Sequence, residues 1–368
     1  MTGLPEPDFI ARDPVAVTSE LIAIYEAMTG RTLQPAQVER LIIDLIAYSE
    51  TLVRIGIQEA AKQNLVAYSR GANLDHHGAL LGVSRLPAKA AATTLEFTLS
   101  AAQAGDVAIP KGTRVKAKDG AVVFATSERL VIPAGTLAGS VPAAAGELGE
   151  TGNGYLPGEV ATLMDPIAGV AAAANTATTY GGAPVEDDER LRQRVQEAPE
   201  RFSVAGPGGA YRWHAMTSHQ SLVDAAVVSP TPGVVQVYPL GKDGIPAPEI
   251  LDVVLAALND DKVRPLTDLV QVLPPTEVAY TIDATLTLLR GADQVSVEAA
   301  ARKAAEAYAA GRRGGLGRDL IHSQIIAALS VPGVYKVQVN APAERVVDGY
   351  EWANCTSIAL SFGGAVDG

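Results

Sequence analysis

The side chains best suited to acid–base or metal chemistry are few: five histidines, His76, His77, His214, His219 and His322, and one cysteine, Cys355. A metal site needs several such groups converging at ligand spacing. His76 and His77 are adjacent, and adjacent helical positions point about 100° apart. They do not make a two-ligand face, so one exposed and one packed histidine is expected. His214 and His219 stand near Ser218, Ser221 and Asp224, the residue types of a nucleophile, its base and an orienting acid. The Gly-x-Ser-x-Gly turn that presents such a nucleophile is missing. Asp187, Asp188 and Glu189 form a dense acidic cluster. A two-carboxylate hydrolase needs acids facing each other across a cleft, whereas these open a helix, where acids offset the positive end of its dipole. Gly206-Pro207-Gly208-Gly209 precedes a helix like an anion-binding loop. Its proline removes one N–H donor, and a hinge or tight helix entry is the expectation. Arg312 and Arg313 lie in the most basic spot, a Gly-rich stretch from Gly311 to Gly317. They are expected to meet a partner's carboxylate or to end a helix in solvent. No catalytic, cofactor-binding or metal-ligating residue is assigned.

The elements that would position a site follow from composition and pattern. The 368 residues exceed what one hydrophobic core usually serves. With 48% apolar and 19% charged residues the chain reads as folded, and with only 5% aromatics its cores must be aliphatic. Its 29 basic residues against 41 acidic ones leave a net charge of −12, which argues against a nucleic-acid partner, since phosphates are neutralised by Lys and Arg. One cysteine makes no internal disulfide, which suits a reducing cytosol. The first dozen residues lack the apolar core of a signal peptide. No stretch approaches the roughly 20 apolar residues that span a bilayer, so no membrane partner is expected.

Asp13-Pro14 is a helix-start signal, and Val17, Leu21, Ile24, Tyr25 and Met28 follow at helical spacing. A second helix is predicted over residues 35–68. Val38, Leu41, Leu45, Tyr48, Leu52 and Ile55 recur in steps of three and four, and Ile42, Ile46, Val53 and Ile57 widen the stripe. Such a stripe suits a helix gripped from two sides in a bundle. A short helix over 73–81 comes next. After Pro87 alternating segments at 94–99, 122–126, 128–132 and 138–142 read as strands, and 143–180, rich in Gly and Ala, reads largely as extended loop. Helices are expected at 187–197, where Asp188 and Arg192 stand four apart on one face, and at 207–218. Strands at 223–229 and 234–239, a helix at 248–260 and a strand at 269–273 complete an α/β unit. The last third repeats the grammar: a strand at 278–289, helices at 295–310 and 318–329, and strands at 335–340 and 356–362. Pro232-Gly233 and Pro332-Gly333 each open a strand of alternating Val, which suggests two related modules or shared turn chemistry. The expected fold class is α+β and multidomain. Its parts are an N-terminal helical bundle region (1–88), a β-rich domain (89–180), a central α+β module (181–275) and a C-terminal α+β module (276–368).

An ordered series of short motifs resembles the baseplate J family. The central block runs from Gly181-Gly182 through Glu186, Asp187, Asp188, Arg192 and Arg194, and continues at Gly208-Gly209, Tyr211 to Ala215 and Pro232 to Val237. Upstream stand Asn73-Leu74-Asp75, Leu81-Gly82-Val83, Gly152-Asn153-Gly154, Gly158-Glu159-Val160, Gly169 and Asn175; downstream stand Gly317, Ile321, Ser323, Ile325, Pro332-Gly333-Val334 and Pro342. The resemblance implies a non-enzymatic wedge protein of a contractile tail, in a virion baseplate assembled in the bacterial cytoplasm. Its implied partners are other copies of itself, paired in a six-fold ring, other wedge proteins, and tail hub or sheath-initiating proteins. No cofactor is implied. Leu41, Leu45, Tyr48, Leu52 and Ile55 are then expected to contact other subunits, and Gly181, Gly182, Gly206, Gly208 and Gly209 to act as hinges. The same architecture serves R-type bacteriocins and other injection systems. A tail-associated glycan hydrolase or glycan-binding module is the alternative of a different class. It needs paired acids or an aromatic platform, whereas Trp213 and Trp352 are far apart in sequence.

Overall fold

The computed structural model describes residues 5–202, 208–260, 263–265 and 267–367. They form an α+β multidomain protein that divides into two compact units, residues 1–85 with 187–196, and residues 86–186 with 197–368.

The first unit is helical. Helix α1 (Pro14–Thr29) starts where the Asp13 side chain accepts from the Val15 N–H. Helix α2 (Val38–Lys62) packs against α1, and α3 (Gly71–Leu80) follows. α2 stops at Lys62, short of the predicted 68. The Asn64 amide bonds the carbonyls of Ala60 and Ala61, a local competition with the helix ladder that favours its end.

The second unit opens with β strands. They are β1 (Ala90–Leu99), β2 (Val107–Ile109), β3 (Arg114–Ala117), β4 (Val123–Thr126), β5 (Leu130–Ile132), β6 (Ala138–Leu148), β7 (Val160–Leu163) and β8 (Val170–Asn175). Six of them form one antiparallel sheet in the order β7-β3-β4-β6-β1-β8. Its two ends, β7 and β8, come together, so the sheet is nearly a barrel around Leu95, Phe97, Val115, Phe124 and Val160. The Asn175 amide secures that seam: its oxygen accepts from the Val160 N–H at 2.9 Å, and its nitrogen donates to the carbonyls of Leu156 and Ala177. The stretch expected to be loop therefore holds the end of β6 and both closing strands. Its alanines carry little strand propensity, and pairing of β6 and β8 with β1 sets their conformation.

Helix α4 (Asp188–Glu197) comes after the barrel and belongs almost wholly to the first unit. The central module contains α5 (Gly208–Ser218), β9 (Leu222–Thr231), β10 (Val234–Gly241), α6 (Pro248–Leu258) and β11 (Leu269–Val272), in a sheet ordered β11-β10-β9. The C-terminal module contains β12 (Thr276–Leu289), α7 (Gln294–Arg313), α8 (His322–Leu329), β13 (Val334–Ala341) and β14 (Glu351–Val366), ordered β13-β12-β14 with β12 and β14 parallel. Each sheet has one parallel and one antiparallel pairing. The repeated Pro-Gly serves different junctions, a β9–β10 hairpin and an α8-to-β13 entry. What is shared is a glycine at positive φ, +82° at Gly233 and +95° at Gly333.

Arg114 pairs with Asp165 at 2.8 Å, tying β3 to the segment after β7. The guanidinium and its own backbone N–H hold the Asp165 carboxyl down at about 2, from the usual 3.8. A carboxyl depressed on folding stabilises the fold above its unfolded pKa, and that contribution is lost as pH falls through the folded value. Acid titration followed by circular dichroism is expected to show parent stability falling more steeply than that of Asp165→Asn between about pH 4 and 2.

Candidate interaction surface

Helix α2 buries Ile43, Ala47, Thr51 and Gln58, positions spaced to share one face. That face also holds the chain before α1. The Gln58 amide donates to the Pro7 carbonyl at 2.7 Å and accepts from the Phe9 N–H at 2.9 Å, and Arg54 donates to the Ala11 carbonyl. The stripe singled out from the sequence faces away from this contact. Leu41 is 62% exposed, Leu45 67%, Tyr48 64%, Leu52 51% and Ile55 43%, and Ile42, Ile46, Val53 and Ile57 are exposed beside them. Large apolar side chains gathered on one exposed face mark an interaction site. Sequence reasoning missed the inner face because an Ala, a Thr and a Gln at four- and seven-residue steps carry little hydrophobic signal.

The acidic and basic block on α4 builds a clasp within the same unit. Asp187 caps the helix, its Oδ1 accepting from the Arg190 N–H at 2.8 Å. Asp188 makes no hydrogen bond or ion pair with Arg192 four residues on, though the Arg192 charge is near enough to favour its ionised form. It accepts from the Gly71 N–H at 3.0 Å and from Arg85 at 2.7 Å, and these two donors hold its carboxyl below the usual range. The Arg192 guanidinium, buried, donates to the carbonyls of Val66 at 2.9 Å and Ser69 at 2.8 Å, while Glu189 pairs with its outer side. Arg194, also buried, donates to the Ser84 carbonyl. Carbonyls left over where α2 ends and α3 turns are thus collected by α4.

The residues proposed as hinges fall in several settings. Gly206 lies outside the described residues. Gly208 and Gly209 form the first turn of α5. Gly181 has φ +80°. Gly182 exchanges two hydrogen bonds of 2.8 Å with the Asn153 side chain, and a Cβ there would stand 2.2 Å from the Gly149 carbonyl oxygen, so only glycine fits.

The sequence candidates for chemistry do not assemble. His76 is exposed and His77 is half-buried, its Nε2 3.0 Å from the Gln63 carbonyl. They line an open cavity with Gln63, Asn64 and Asn73, and no carboxylate lines it. His219 is buried, and its Nδ1 accepts from the Ser221 N–H at 3.1 Å and the Ser221 hydroxyl at 2.8 Å, which closes a local turn. Asp224 is engaged elsewhere, by Arg212 and by the Leu316 N–H at 2.9 Å. No cluster of three or more metal-ligating side chains occurs among the described residues. Trp213 and Trp352 are both buried, so neither ring offers a stacking platform.

The basic loop makes contacts within its own chain, and Arg313, exposed, ends α7, as one of the two expectations had it. Arg313 donates to Asn354 Oδ1 and the Cys355 carbonyl, Arg312 donates to the Asp319 carbonyl, and Leu316 reaches Asp224. The Trp352 indole N–H donates to the Arg313 carbonyl at 2.9 Å and its ring covers Gly244. These contacts join the central and C-terminal modules.

Replacing Arg192 by Ala strands two carbonyls and removes charge-assisted hydrogen bonds, each worth about 1.5–3 kcal/mol. Hydrogen exchange is expected to accelerate in α3 and α4 and to stay unchanged in the barrel, and Arg192→Lys, which has no planar fork, is expected to restore only part of the protection.

Comparison with known proteins fits this arrangement. Models of baseplate J-like proteins match in order along the chain: the N-terminal domain over residues 38–92, the barrel domain over 94–182, the central domain over 203–274 and the C-terminal domain over 280–361. Baseplate protein J of Escherichia phage P2 is 39% identical over 186 residues, which is 50% of this chain and 61% of that protein. The match thus spans about three fifths of the length of that relative. A chain from the cryo-EM structure of the anti-feeding prophage (AFP) baseplate, 6-fold symmetrised, is 12% identical and aligns over 94% of this chain and 90% of its own, at a TM-score of 0.42. With four domain models in register from residue 38 to residue 361, the chain belongs to the baseplate J family.

Proposed function

We propose that this protein is a structural, non-enzymatic wedge component of the tail baseplate of a contractile injection machine, a phage virion part assembled in the bacterial cytoplasm. The observation that carries the wedge reading is the apolar face of α2, which its own chain leaves exposed. Family membership and the phage P2 relative support the baseplate setting, which a phage tail, a bacteriocin and other injection systems share. The partners in this reading are other copies of the chain, paired and arranged in a ring, together with other wedge proteins and hub or sheath-initiating proteins. Of the glycines expected to be hinges, Gly181, at φ +80°, is its candidate pivot, since Gly182 is held by Asn153 and Gly208 and Gly209 lie within α5.

Magnitudes say what kind of partner the helix needs. Five aliphatic and aromatic side chains at about 1.5–3 kcal/mol each contribute roughly 8–15 kcal/mol on full burial. Association itself costs about 4–15 kcal/mol, so that stripe alone is marginal. Ile42, Ile46, Val53 and Ile57 extend it around the helix, which suits a bundle with neighbours on two sides.

Leu45→Asp and Leu52→Asp introduce charges that cost the isolated chain little beyond the lower helix propensity of Asp, because both positions are largely exposed there, but are expensive to bury unpaired. Each variant is expected to fold with parental circular dichroism and to yield no complete baseplates by electron microscopy of assembled particles. Normal particles from both variants would sink the interface assignment.

A further inference from the structure

The sheet edges of the two α+β modules are unequal. The central sheet ends on β11, four residues long, and on β9, which carries Asp224 and Pro230. The C-terminal sheet ends on β13, which carries Lys336, and on β14. Short length, charge and proline are the usual devices that keep an edge from pairing with another chain. β14 has none of them. It runs for 16 residues, and from Trp352 to Val366 it holds neither a charged residue nor a proline. One edge pairs in parallel with β12, and the other meets no strand among the described residues.

The regular part of that free edge is well defined. Its register with β12 is unbroken from Ser357 to Phe362, between irregularities that fall at Thr356 and at Gly363-Gly364. Along it the two faces are sorted by size. Ile358, Leu360 and Phe362 are half-buried, stand beside Ile282, Ala284 and Leu286 of β12, and pack at the margin of the core that α7 covers. Ser357, Ala359 and Ser361 are exposed on the opposite face, beside Thr281, Asp283 and Thr285.

This order matches itself when reversed. In an antiparallel pair, residues directly opposite each other point to the same face of the sheet. With a second β14 laid antiparallel about Leu360, the two copies of Leu360 meet, and Ile358 of each copy meets Phe362 of the other. On the open face Ala359 meets Ser361 and Ser357 meets Gly363. Apolar side chains thereby extend the half-exposed margin of each core, and small residues meet small ones. No charge faces a charge, although the chain carries a net −12, and like charges directly opposite destabilise a strand pair. A two-fold contact requires this self-matching, and a strand of unrelated sequence does not supply it.

We propose that the free edge of β14, from Ser357 to Gly363, pairs antiparallel with the same edge of a second copy of this chain, joining two C-terminal modules through one continuous sheet. The proposal rests on the reading that copies of the chain pair, and it adds a contact separate from α2.

Sedimentation equilibrium of the full chain tests it in a Leu45→Asp, Leu52→Asp background, where association through α2 is removed. That background is expected to show twice the 38.1 kDa chain mass. Adding Ala359→Lys with Ser361→Lys sets like charges opposite each other and is expected to return the mass to one chain. Ala359→Glu with Ser361→Lys sets opposite charges across the same pairs and is expected to restore the dimer. A background at the mass of one chain overturns the β14 contact, whereas the wedge reading stands or falls separately on the particles made by the α2 variants. A dimer that survives the two lysines, or one that the Glu and Lys pair does not restore, overturns it as well. Should the lysine variant misfold, oxidation of a mixture of Ala359→Cys and Ser361→Cys chains decides. Opposed residues of an antiparallel pair stand about 4.5–5.5 Å apart at Cα, within disulfide reach. More disulfide dimer from the mixture than from either chain alone supports the pairing, and equal yields overturn it.

Discussion

A backbone group buried at the end of an element must find a partner, and buried polar side chains supply those partners throughout this protein. Arg192 and Arg194 collect the carbonyls of Val66, Ser69 and Ser84. Asn175 links the Val160 N–H to carbonyls beyond it, and Asn153 pairs with both backbone groups of Gly182. Asp224 takes the Leu316 N–H and joins two modules. The cores of this chain are mainly aliphatic, with a few large rings such as Phe97, Phe124 and Tyr211. Directional bonds at the ends of elements add geometry to their non-directional packing.

This division of labour bears on function. The proposed baseplate role calls for rigid surfaces, and rigidity comes here from staples concentrated where elements end. The long face of α2, by contrast, carries almost no polar staples on its outer side and ten exposed large apolar residues. The inner side of the same helix is committed to its own chain through Ile43, Ala47, Gln58 and Arg54. One helix thus separates an intramolecular face, rich in hydrogen bonds, from an exposed apolar face.

Much of this was legible in the sequence. Aliphatic periodicity located α1 and α2, and Val alternation located β10 and β13, because burial of one face imposes a period on the residues. The order of short motifs pointed to the family. Barrel strands β7 and β8 escaped notice, since β7 is only four residues long and β8 is largely alanine, which carries little strand propensity and takes its conformation from the strand beside it. The triad-like residues near His219 looked plausible in one dimension and dispersed in three, with Asp224 drawn to Arg212 and Leu316.

What the sequence by itself determined was therefore the class: an α+β multidomain chain, acidic, with a strongly apolar second helix and no motif that assembles chemistry. Only the tertiary structure decided which side of that helix is spent internally. It also decided that Asp188 hydrogen-bonds Gly71 and Arg85 across the fold and not Arg192 along its own helix, and that Arg312 and Arg313 are turned into their own module. The physical reason is the same in each case. Periodicity records how much of an element is buried, whereas the identity of a polar side chain's partner depends on which backbone ends the fold brings within about 3 Å of it.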